Sequence, residues 1–197
     1  MSVDYPDKFR VDIDGRFDGW MLEELISEEE ISTRVRELGR AITKKYKDKT
    51  PILIAVLNGS FIFMADLIRE MDIECEVDFI KLSSYMNETK SSGTVRLVKD
   101  ISANITDRDV IVIEDIVDSG LTIKFLKSRM EGSSPSSVAF VTLLHKEEVS
   151  EIDFDLDYVG FKIPNKFVVG YGLDLDQKYR KLPAIYTVKE SDHNGGS

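Results

Sequence analysis

Acids and hydroxyls that could do chemistry are concentrated in the segment VIVIEDIVDSGLT, residues 110–122. The chemically active members are Glu114, Asp115, Asp118, Ser119 and Thr122. Free backbone N–H groups in such a loop, together with the positive end of a following helix, can bind a phosphate. Carboxylates beside an anion must serve something else, namely ligand hydroxyls, a metal ion or a proton in transit. The segment therefore predicts a phosphate-binding loop whose acids act on a second group.

The elements around this segment predict where its acids lie. Four β-branched residues at 110–113 are typical of a strand buried on both faces, and residues 123–130 repeat at helical spacing. Acids at the carboxyl end of a parallel strand lie where open α/β sheets bind ligands. Asp118 or Ser119 could instead simply cap the next helix. Capping does not explain the adjacent pair Glu114 and Asp115, and this pair favours a ligand site.

Two familiar nucleotide motifs are absent. The chain has no Walker loop, and Gly120 stands alone where a dinucleotide fingerprint would need several glycines. A nucleoside triphosphate or a dinucleotide is therefore not favoured.

The pattern of strand, polar loop and helix occurs twice, at 52–71 and at 110–131, and predicts a parallel α/β fold. Ser27 and Glu30 fit a capping box for a helix that runs to about Lys47. Further strands are predicted at 76–82, 95–98, 138–144, 157–161 and 167–169. Residues 1–20 are expected to be poorly ordered or to form a packed arm. The polar connection at about 83–94 is expected to be a mobile lid, and the tail 190–197 to be disordered.

Composition narrows the class of protein. A chain of 197 residues favours a single domain, and its formal net charge of −10 argues against nonspecific binding to nucleic acid or to anionic membranes. The one cysteine, Cys75, excludes an internal disulfide and favours a cytoplasmic location, and with two histidines it makes a zinc site unfavourable. The apolar run 52–57 is far too short for a membrane span.

Residues 110–122 closely resemble the phosphoribosyl-pyrophosphate signature of type I phosphoribosyltransferases. Further stretches resemble the hypoxanthine-guanine branch of that family, and these are 56–66, 81–85, 144–146 and 157–174 with Arg180. The resemblance covers roughly residues 20–188. It implies a mainly parallel twisted sheet flanked by helices, with a small hood at about 157–188 and a mobile lid that begins at Ser84 and Tyr85.

The resemblance also implies roles for individual residues. Glu114 and Asp115 would hold the ribose diol, directly or through Mg²⁺, and Asp118 would be the general base for the purine N7. The loop of Asp118, Ser119, Gly120, Leu121 and Thr122 would bind the 5′-phosphate. Pyrophosphate would contact Asn58, Gly59 and Arg180, with Asp174 as a further Mg²⁺ ligand. The purine-binding residues would be Lys146 at the 6-oxo group, Phe167 stacked on the base, and Val168, Lys166 and Asp174 nearby.

Two positions depart from the family pattern. Asn58 stands where many relatives carry Lys or Arg, which puts a direct charge contact to pyrophosphate in doubt, and Leu121 stands where Lys is common. In relatives the peptide before Gly59, here Leu57–Asn58, is often cis. Without the resemblance, Asn58-Gly59 would be merely a turn, Lys146 a surface lysine and Phe167 a core residue.

The implied reaction joins hypoxanthine, and guanine as well, to phosphoribosyl pyrophosphate and gives IMP or GMP and pyrophosphate. A 6-oxo purine fits Lys146 because lysine can only donate hydrogen bonds, whereas adenine presents a donor there. Two alternatives remain open: a regulatory protein of the same fold that binds phosphoribosyl pyrophosphate or nucleotides, and a xanthine-preferring enzyme. Relatives form dimers or tetramers, so a homodimer or homotetramer is expected.

Overall fold

The computed structural model describes residues 5–12, 17–85 and 94–190. Its strands are β1 (Lys8–Arg10), β2 (Met21–Ile26), β3 (Ile52–Leu57), β4 (Glu76–Tyr85), β5 (Thr94–Lys99), β6 (Asp109–Val117), β7 (Ser137–His145), β8 (Tyr158–Lys162), β9 (Val168–Val169) and β10 (Ile185–Lys189). Its helices are α1 (Glu28–Lys45), α2 (Phe61–Arg69) and α3 (Leu121–Glu131). Of the predicted lid at about 83–94, residues 83–85 belong to β4 and Thr94 belongs to β5. Residues 86–93, and residues 191–197 of the predicted tail at 190–197, lie outside the described residues.

Six strands form one sheet in the order β5-β4-β3-β6-β7-β8. All neighbouring pairs are parallel except β4 with β5, which is antiparallel. The apolar runs of β3 and β6 are buried on both faces, as their sequences predict, and on one face they pack with α3 through residues such as Val112 and Leu126. The α/β prediction with a mainly parallel sheet is confirmed.

Strand β6 is longer than its sequence suggests. It continues through Glu114 and Asp115 to Val117, because its ladder with β7 continues through the pairs Glu114 with Thr142 and Val117 with His145. The alternative that Asp118 or Ser119 caps the next helix is wrong. Gly120 occupies the N-cap position of α3, and no side chain makes a cap hydrogen bond there. The side chains of the loop are therefore not used to start the helix.

A second sheet has four antiparallel strands in the order β1-β2-β10-β9. It buries Leu22, Val169 and Tyr186 in its own core. Residues 1–20 are predicted to be a poorly ordered start or a packed arm. In the structure β1 lies there and pairs with β2, and β2 in turn pairs with β10, more than 150 residues further along the chain.

The chain divides into two compact units. One contains the described residues up to Ser32 and from Lys166 onward, and the other contains the residues from Thr33 to Asn165. The expectation of a single domain stays a prediction. No helix of the described residues is long and apolar enough to cross a bilayer.

Candidate active site

Glu114 is a buried acid in the carboxyl-terminal half of β6. The residue is 7% exposed, and its Oε2 atom has no hydrogen-bond partner among the described residues. Burial, followed by the neighbouring carboxylate of Asp115, raises the pKa of Glu114 well above its ordinary value. A buried carboxyl group with an unused oxygen is typical of a position that a ligand completes.

Asp115 contacts the loop that follows β3. Its Oδ1 atom accepts a hydrogen bond from the N–H of Ile116 at 2.9 Å. A Cβ atom built on Gly59 would lie only 1.4 Å from Asp115 Oδ2, so only glycine fits beside this carboxylate. The Leu57–Asn58 peptide is cis, as the family resemblance predicts. The structure therefore brings the predicted pyrophosphate loop against the predicted diol-binding acids.

The predicted phosphate loop borders a cavity of about 210 Å³. The residues that line it are Glu114, Ile116, Val117, Asp118, Ser119, Gly120, Thr122 and Ile123. Gly120 has φ +87°, a left-handed conformation that favours glycine, and Leu121 begins α3 with a side chain that is 45% exposed. The start of an 11-residue helix thus faces a concave space, an arrangement that suits an anion.

Residues 150–152, which the sequence did not predict to be part of the site, contact this loop. Glu151 donates its backbone N–H to the carbonyl oxygen of Ser119 at 3.0 Å. A Cβ on Gly120 would lie 2.5 Å from Ile152 Cγ2, so Ile152 packs tightly against the loop. The region 150–152 has no motif and lies about thirty residues further along the chain, and no local pattern in the sequence could reveal the contact.

Lys146 and Asp118 form an ion pair beside the same loop. Lys146 Nζ lies 2.8 Å from Asp118 Oδ2, and the side chains are 7% and 55% exposed respectively. The backbone N–H of Lys146 donates to Val117 O at 2.9 Å and so fixes the end of β7 beside the end of β6. By residue type alone Lys146 would lie on the surface. A lysine that is buried and paired with an exposed carboxylate is unusual for this residue type, and this placement indicates a functional role for Lys146.

In the other unit, Asp174 and Arg180 are held together. Arg180 Nη2 lies 2.8 Å from Asp174 Oδ1, and Arg180 Nη1 donates to Gly172 O at 2.7 Å. Gln177, which sequence reasoning also missed, accepts from Arg180 Nη2 and donates its backbone N–H to Asp174 Oδ2. Two successive tight turns, each closed by a reciprocal pair of backbone hydrogen bonds, place Asp174 between them.

Phe167 and its neighbours belong to the same unit as Asp174. The Phe167 side chain is 55% exposed, although its residue type alone suggests the core, and an exposed aromatic face is available for stacking. Val168 is buried and pairs with Thr187 of β10, and Lys166 is exposed. Ser84 and Tyr85 are the last residues of β4, and their partners in the antiparallel ladder are Val95 and Thr94 of β5.

The acids can be tested for a fit to Mg²⁺. The described residues contain no group of three or more His, Cys, Asp or Glu side chains that could hold a metal ion. Glu114 and Asp115 nevertheless place two carboxylates side by side, one with an unused buried oxygen. Because Mg²⁺ is commonly bound by one or two carboxylates together with substrate oxygens and water, this pair fits an ion that arrives with its substrate.

Comparison with known proteins places the chain in a family. The family model for the phosphoribosyl transferase domain matches residues 22–176. A hypoxanthine-guanine phosphoribosyltransferase from Streptococcus thermophilus is 46% identical over 170 residues, which cover 86% of this chain and 94% of that protein. One from Bacillus subtilis is 47% identical over 84% of this chain and 92% of that protein. The crystal structure of one from Bacillus anthracis has a TM-score of 0.80 and 48% identity, and covers 84% of this chain and 97% of that one. The chain therefore belongs to the phosphoribosyltransferase family, with the type I fold and in the branch of the hypoxanthine-guanine phosphoribosyltransferases.

Proposed function

We propose that the chain is a purine-salvage enzyme that transfers the 5-phosphoribosyl group from phosphoribosyl pyrophosphate to N9 of hypoxanthine or guanine. The products are IMP or GMP and pyrophosphate. The main support for a 6-oxo purine as the substrate is the ion pair of Lys146 and Asp118, whose Nζ and Oδ2 atoms lie 2.8 Å apart beside the phosphate loop. The relatives named above, at 46–48% identity, support the same reaction.

The Lys146–Asp118 pair is complementary to one edge of a 6-oxo purine. The 6-oxygen and N7 lie side by side on that edge, the first as an acceptor and the second as the atom from which a proton leaves. Lys146 has three N–H donors and no acceptor, so it can donate to the 6-oxygen and to Asp118 at once. Asp118 can then accept the N7 proton. Adenine presents an amino group at position 6 and would place donor against donor.

The other candidate residues of the unit Thr33–Asn165 are suited to bind the ribose and its phosphate groups. The 5′-phosphate would be bound by the backbone N–H groups of residues 118–122 and by the hydroxyls of Ser119 and Thr122. Glu114 and Asp115 would accept hydrogen bonds from the ribose diol or hold Mg²⁺, which supplies positive charge to the pyrophosphate when it is bound. Asn58 and Gly59 would contact pyrophosphate through the backbone.

The roles assigned in the other unit rest on the family resemblance and on the exposure and ion pairing of its residues. Phe167 would stack on the base, and Val168 would pair with the purine edge through its main chain, with Lys166 close to the nucleotide. Arg180 would donate to pyrophosphate, and Asp174 would be a Mg²⁺ ligand. Arg180 already makes three hydrogen-bonding contacts, to Gly172, Gln177 and Asp174, which fix its guanidinium for such a contact.

The chemical step is a displacement at C1′ of the ribose. N9 of the purine forms a bond to C1′ while the C1′–O bond to pyrophosphate breaks, and pyrophosphate leaves with that electron pair. The proton on N7 passes to a carboxylate oxygen of Asp118 as positive charge builds on the purine. Donors that surround pyrophosphate stabilise the charge that develops on it. Closure of the lid at 83–94 would exclude water from the cationic sugar.

An assay of pyrophosphate release with Asp118→Asn tests the assignment of the base. We expect kcat to fall by about 10²–10⁴-fold with the fold intact, because the amide cannot accept the N7 proton. Asp153→Asn, which removes an exposed carboxylate that makes no ion pair or hydrogen bond with the described residues, is the matched control and should keep normal turnover. Near-normal turnover of Asp118→Asn would contradict the role of Asp118 as general base.

The same assay with hypoxanthine, guanine, xanthine and adenine tests the substrate class. We expect turnover with hypoxanthine and guanine and none with adenine. Preferential use of xanthine would favour the xanthine-preferring alternative, and absence of turnover with every base would favour a regulatory nucleotide-binding protein. A homodimer or homotetramer, a cytoplasmic location and the absence of nucleic-acid and membrane partners stay predictions.

A further inference from the structure

Gln177 occupies a backbone position that is unfavourable for glutamine. It is the second central residue of a turn that is closed by reciprocal backbone hydrogen bonds between Leu175 and Lys178. Both central residues have positive φ, +50° at Asp176 and +63° at Gln177, as in a type I′ turn, whose second position strongly favours glycine. Because a Cβ atom destabilises this left-handed conformation, the turn itself does not explain why glutamine is present here.

Gln177 joins Asp174 to Arg180 through both its main chain and its side chain. Its backbone N–H donates to Asp174 Oδ2 at 2.8 Å, and its Oε1 atom accepts a hydrogen bond from Arg180 Nη2 at 2.9 Å. The same Nη2 atom lies 2.8 Å from Asp174 Oδ1. Gln177 thus contacts the carboxylate and the guanidinium of one ion pair at the same time, and this fixes the two groups relative to each other.

A second residue, Gly172, also holds Arg180. Arg180 Nη1 donates to Gly172 O at 2.7 Å, and the Gly172 N–H donates to Arg180 O at 2.9 Å. The Arg180 side chain is only 19% exposed. A long side chain that is already ordered loses less conformational entropy when it binds a ligand. Since a guanidinium carries five N–H donors, Arg180 retains donors for a ligand beside these contacts.

The acceptor that Gln177 supplies is uncharged, unlike the carboxylate of Asp174. Asp174 already compensates the positive charge of Arg180. The amide oxygen of Gln177 adds a hydrogen bond without a second negative charge, so the guanidinium keeps its attraction for an anion. The Gln177 side chain is therefore suited to orient Arg180 for an anionic ligand.

We propose that Gln177 is a positioning residue that orients Arg180 for contact with the pyrophosphate group of phosphoribosyl pyrophosphate. This inference rests on the proposed function above, in which Arg180 donates to pyrophosphate. Gln177 itself does not touch the substrate. It acts before the substrate arrives, because its hydrogen bond holds the guanidinium in place in the free protein. Loss of that bond should weaken binding of phosphoribosyl pyrophosphate and leave binding of the purine unchanged.

Two substitutions remove the acceptor but differ in their effect on the backbone. Gln177→Met keeps a side chain of similar length at positive φ, whereas Gln177→Gly relieves the unfavourable conformation and should be at least as stable as Gln177→Met in urea unfolding. Both should raise KM and Kd for phosphoribosyl pyrophosphate by about three- to tenfold, because one hydrogen bond to Arg180 is lost. KM for hypoxanthine and kcat should stay within about twofold of the wild type. Initial-rate kinetics measure KM and kcat, and titration calorimetry without a purine measures Kd.

Asp176→Gly is the matched control. It relieves a positive φ in the same turn and removes a side chain that makes no hydrogen bond or ion pair with the described residues. KM and Kd for phosphoribosyl pyrophosphate should stay within about twofold of the wild type. Arg180→Met measures the contact with pyrophosphate itself. In the Arg180→Met background, Gln177→Met should have no further effect, because a positioning residue acts only through the group that it holds.

The outcomes separate this inference from the proposed function. If Arg180→Met weakens binding and both Gln177 variants bind normally, Gln177 does not orient Arg180, and the pyrophosphate contact stands. If Arg180→Met leaves KM and Kd unchanged, that contact is wrong as well. A loss in Gln177→Met that is absent from Gln177→Gly would assign the effect to backbone strain, and an equal loss in Asp176→Gly would assign it to the turn. The values of Kd decide among these results even if no purine is turned over.

Discussion

Substitution of Gly59 tests whether close packing of the loop after β3 against Asp115 of β6 is needed for the reaction. In Gly59→Ala the new methyl carbon would start 1.4 Å from Asp115 Oδ2 and 2.5 Å from its Cγ, whereas real Cβ contacts are essentially never under 3.0 Å. The carboxylate therefore has to move by more than an ångström. Leaving its position costs the 2.9 Å hydrogen bond from Ile116 N and favourable rotamer geometry, together about 1–2 kcal/mol of stability.

The effect on the reaction should be larger than the effect on stability. A displacement of about 1 Å in a group that positions the substrate can cost about 10²-fold in rate, equivalent to about 2.7 kcal/mol of transition-state stabilisation. We expect kcat/KM for phosphoribosyl pyrophosphate to fall by about that factor in pyrophosphate-release assays. The melting temperature should fall by only about 2–4 °C for each kcal/mol of lost stability.

Gly132→Ala is the matched control for this substitution. Gly132 lies at the end of α3, where a Cβ would meet nothing closer than Ser128 O at 3.4 Å, and its φ of −60° suits any residue. This variant should keep normal activity and should be at least as stable as the wild type, because alanine restricts the unfolded chain. If Gly59→Ala kept kcat/KM within about threefold of the wild type, the packing of Gly59 against Asp115 would not control the reaction.

Two further predictions concern Lys146 and Asp78. Lys146→Met should raise KM for hypoxanthine by about 10–100-fold, because the contact to the 6-oxo group is lost. The free energy of unfolding should change little, because the partner of Lys146, Asp118, is largely exposed. Initial-rate kinetics measure the first effect and urea unfolding measures the second, and an unchanged KM would contradict the purine contact. Burial opposes ionisation of Asp78, but the N–H groups of Ala103, Phe79 and Ser102 and the charge of Lys99 lower its pKa below the ordinary 3.8. Because its pKa is lower in the folded state, ionised Asp78 stabilises the fold above about pH 4, and this stabilisation is lost as pH falls through the folded-state pKa. In urea titrations the free energy of unfolding of Asp78→Asn should therefore be about 1–3 kcal/mol below that of the wild type near pH 7. The difference should shrink as pH falls toward pH 3. A loss that stays constant from pH 7 to pH 3 would exclude the ionised carboxylate as its cause.

The sequence was most informative where the structural cause is local. The apolar run at 52–57 and the β-branched run at 110–113 predict strands buried on both faces, and the structure confirms both. The capping box at Ser27 and Glu30 forms as predicted, with reciprocal hydrogen bonds. The polar loops after β3 and β6 were also located by sequence, since the topology of a parallel sheet brings strand ends to one edge.

Contacts between distant segments were not accessible in the same way. The ladder with β7 extends β6 through its acids, and no residue within 110–122 indicates that extension. The strands β1 and β10 are short, and they become strands because β2 lies between them. The support of the phosphate loop by Ile152 and the contact of Gly59 with Asp115 likewise join residues that are far apart in the chain. Such contacts follow from the folded topology and not from any local pattern.

Residue type misleads most at the functional positions, and there is a physical reason for it. Lys146 is buried although lysine favours the surface, Phe167 is exposed although phenylalanine favours the core, and Glu114 is buried with an unused oxygen. Each placement costs stability in the free protein, because a polar group is only partly satisfied or an apolar face remains in water. A ligand that supplies the missing partners regains that free energy when it binds. The departures of these three residues from their usual burial therefore point to the ligand-binding surfaces more directly than their agreement with the fold could.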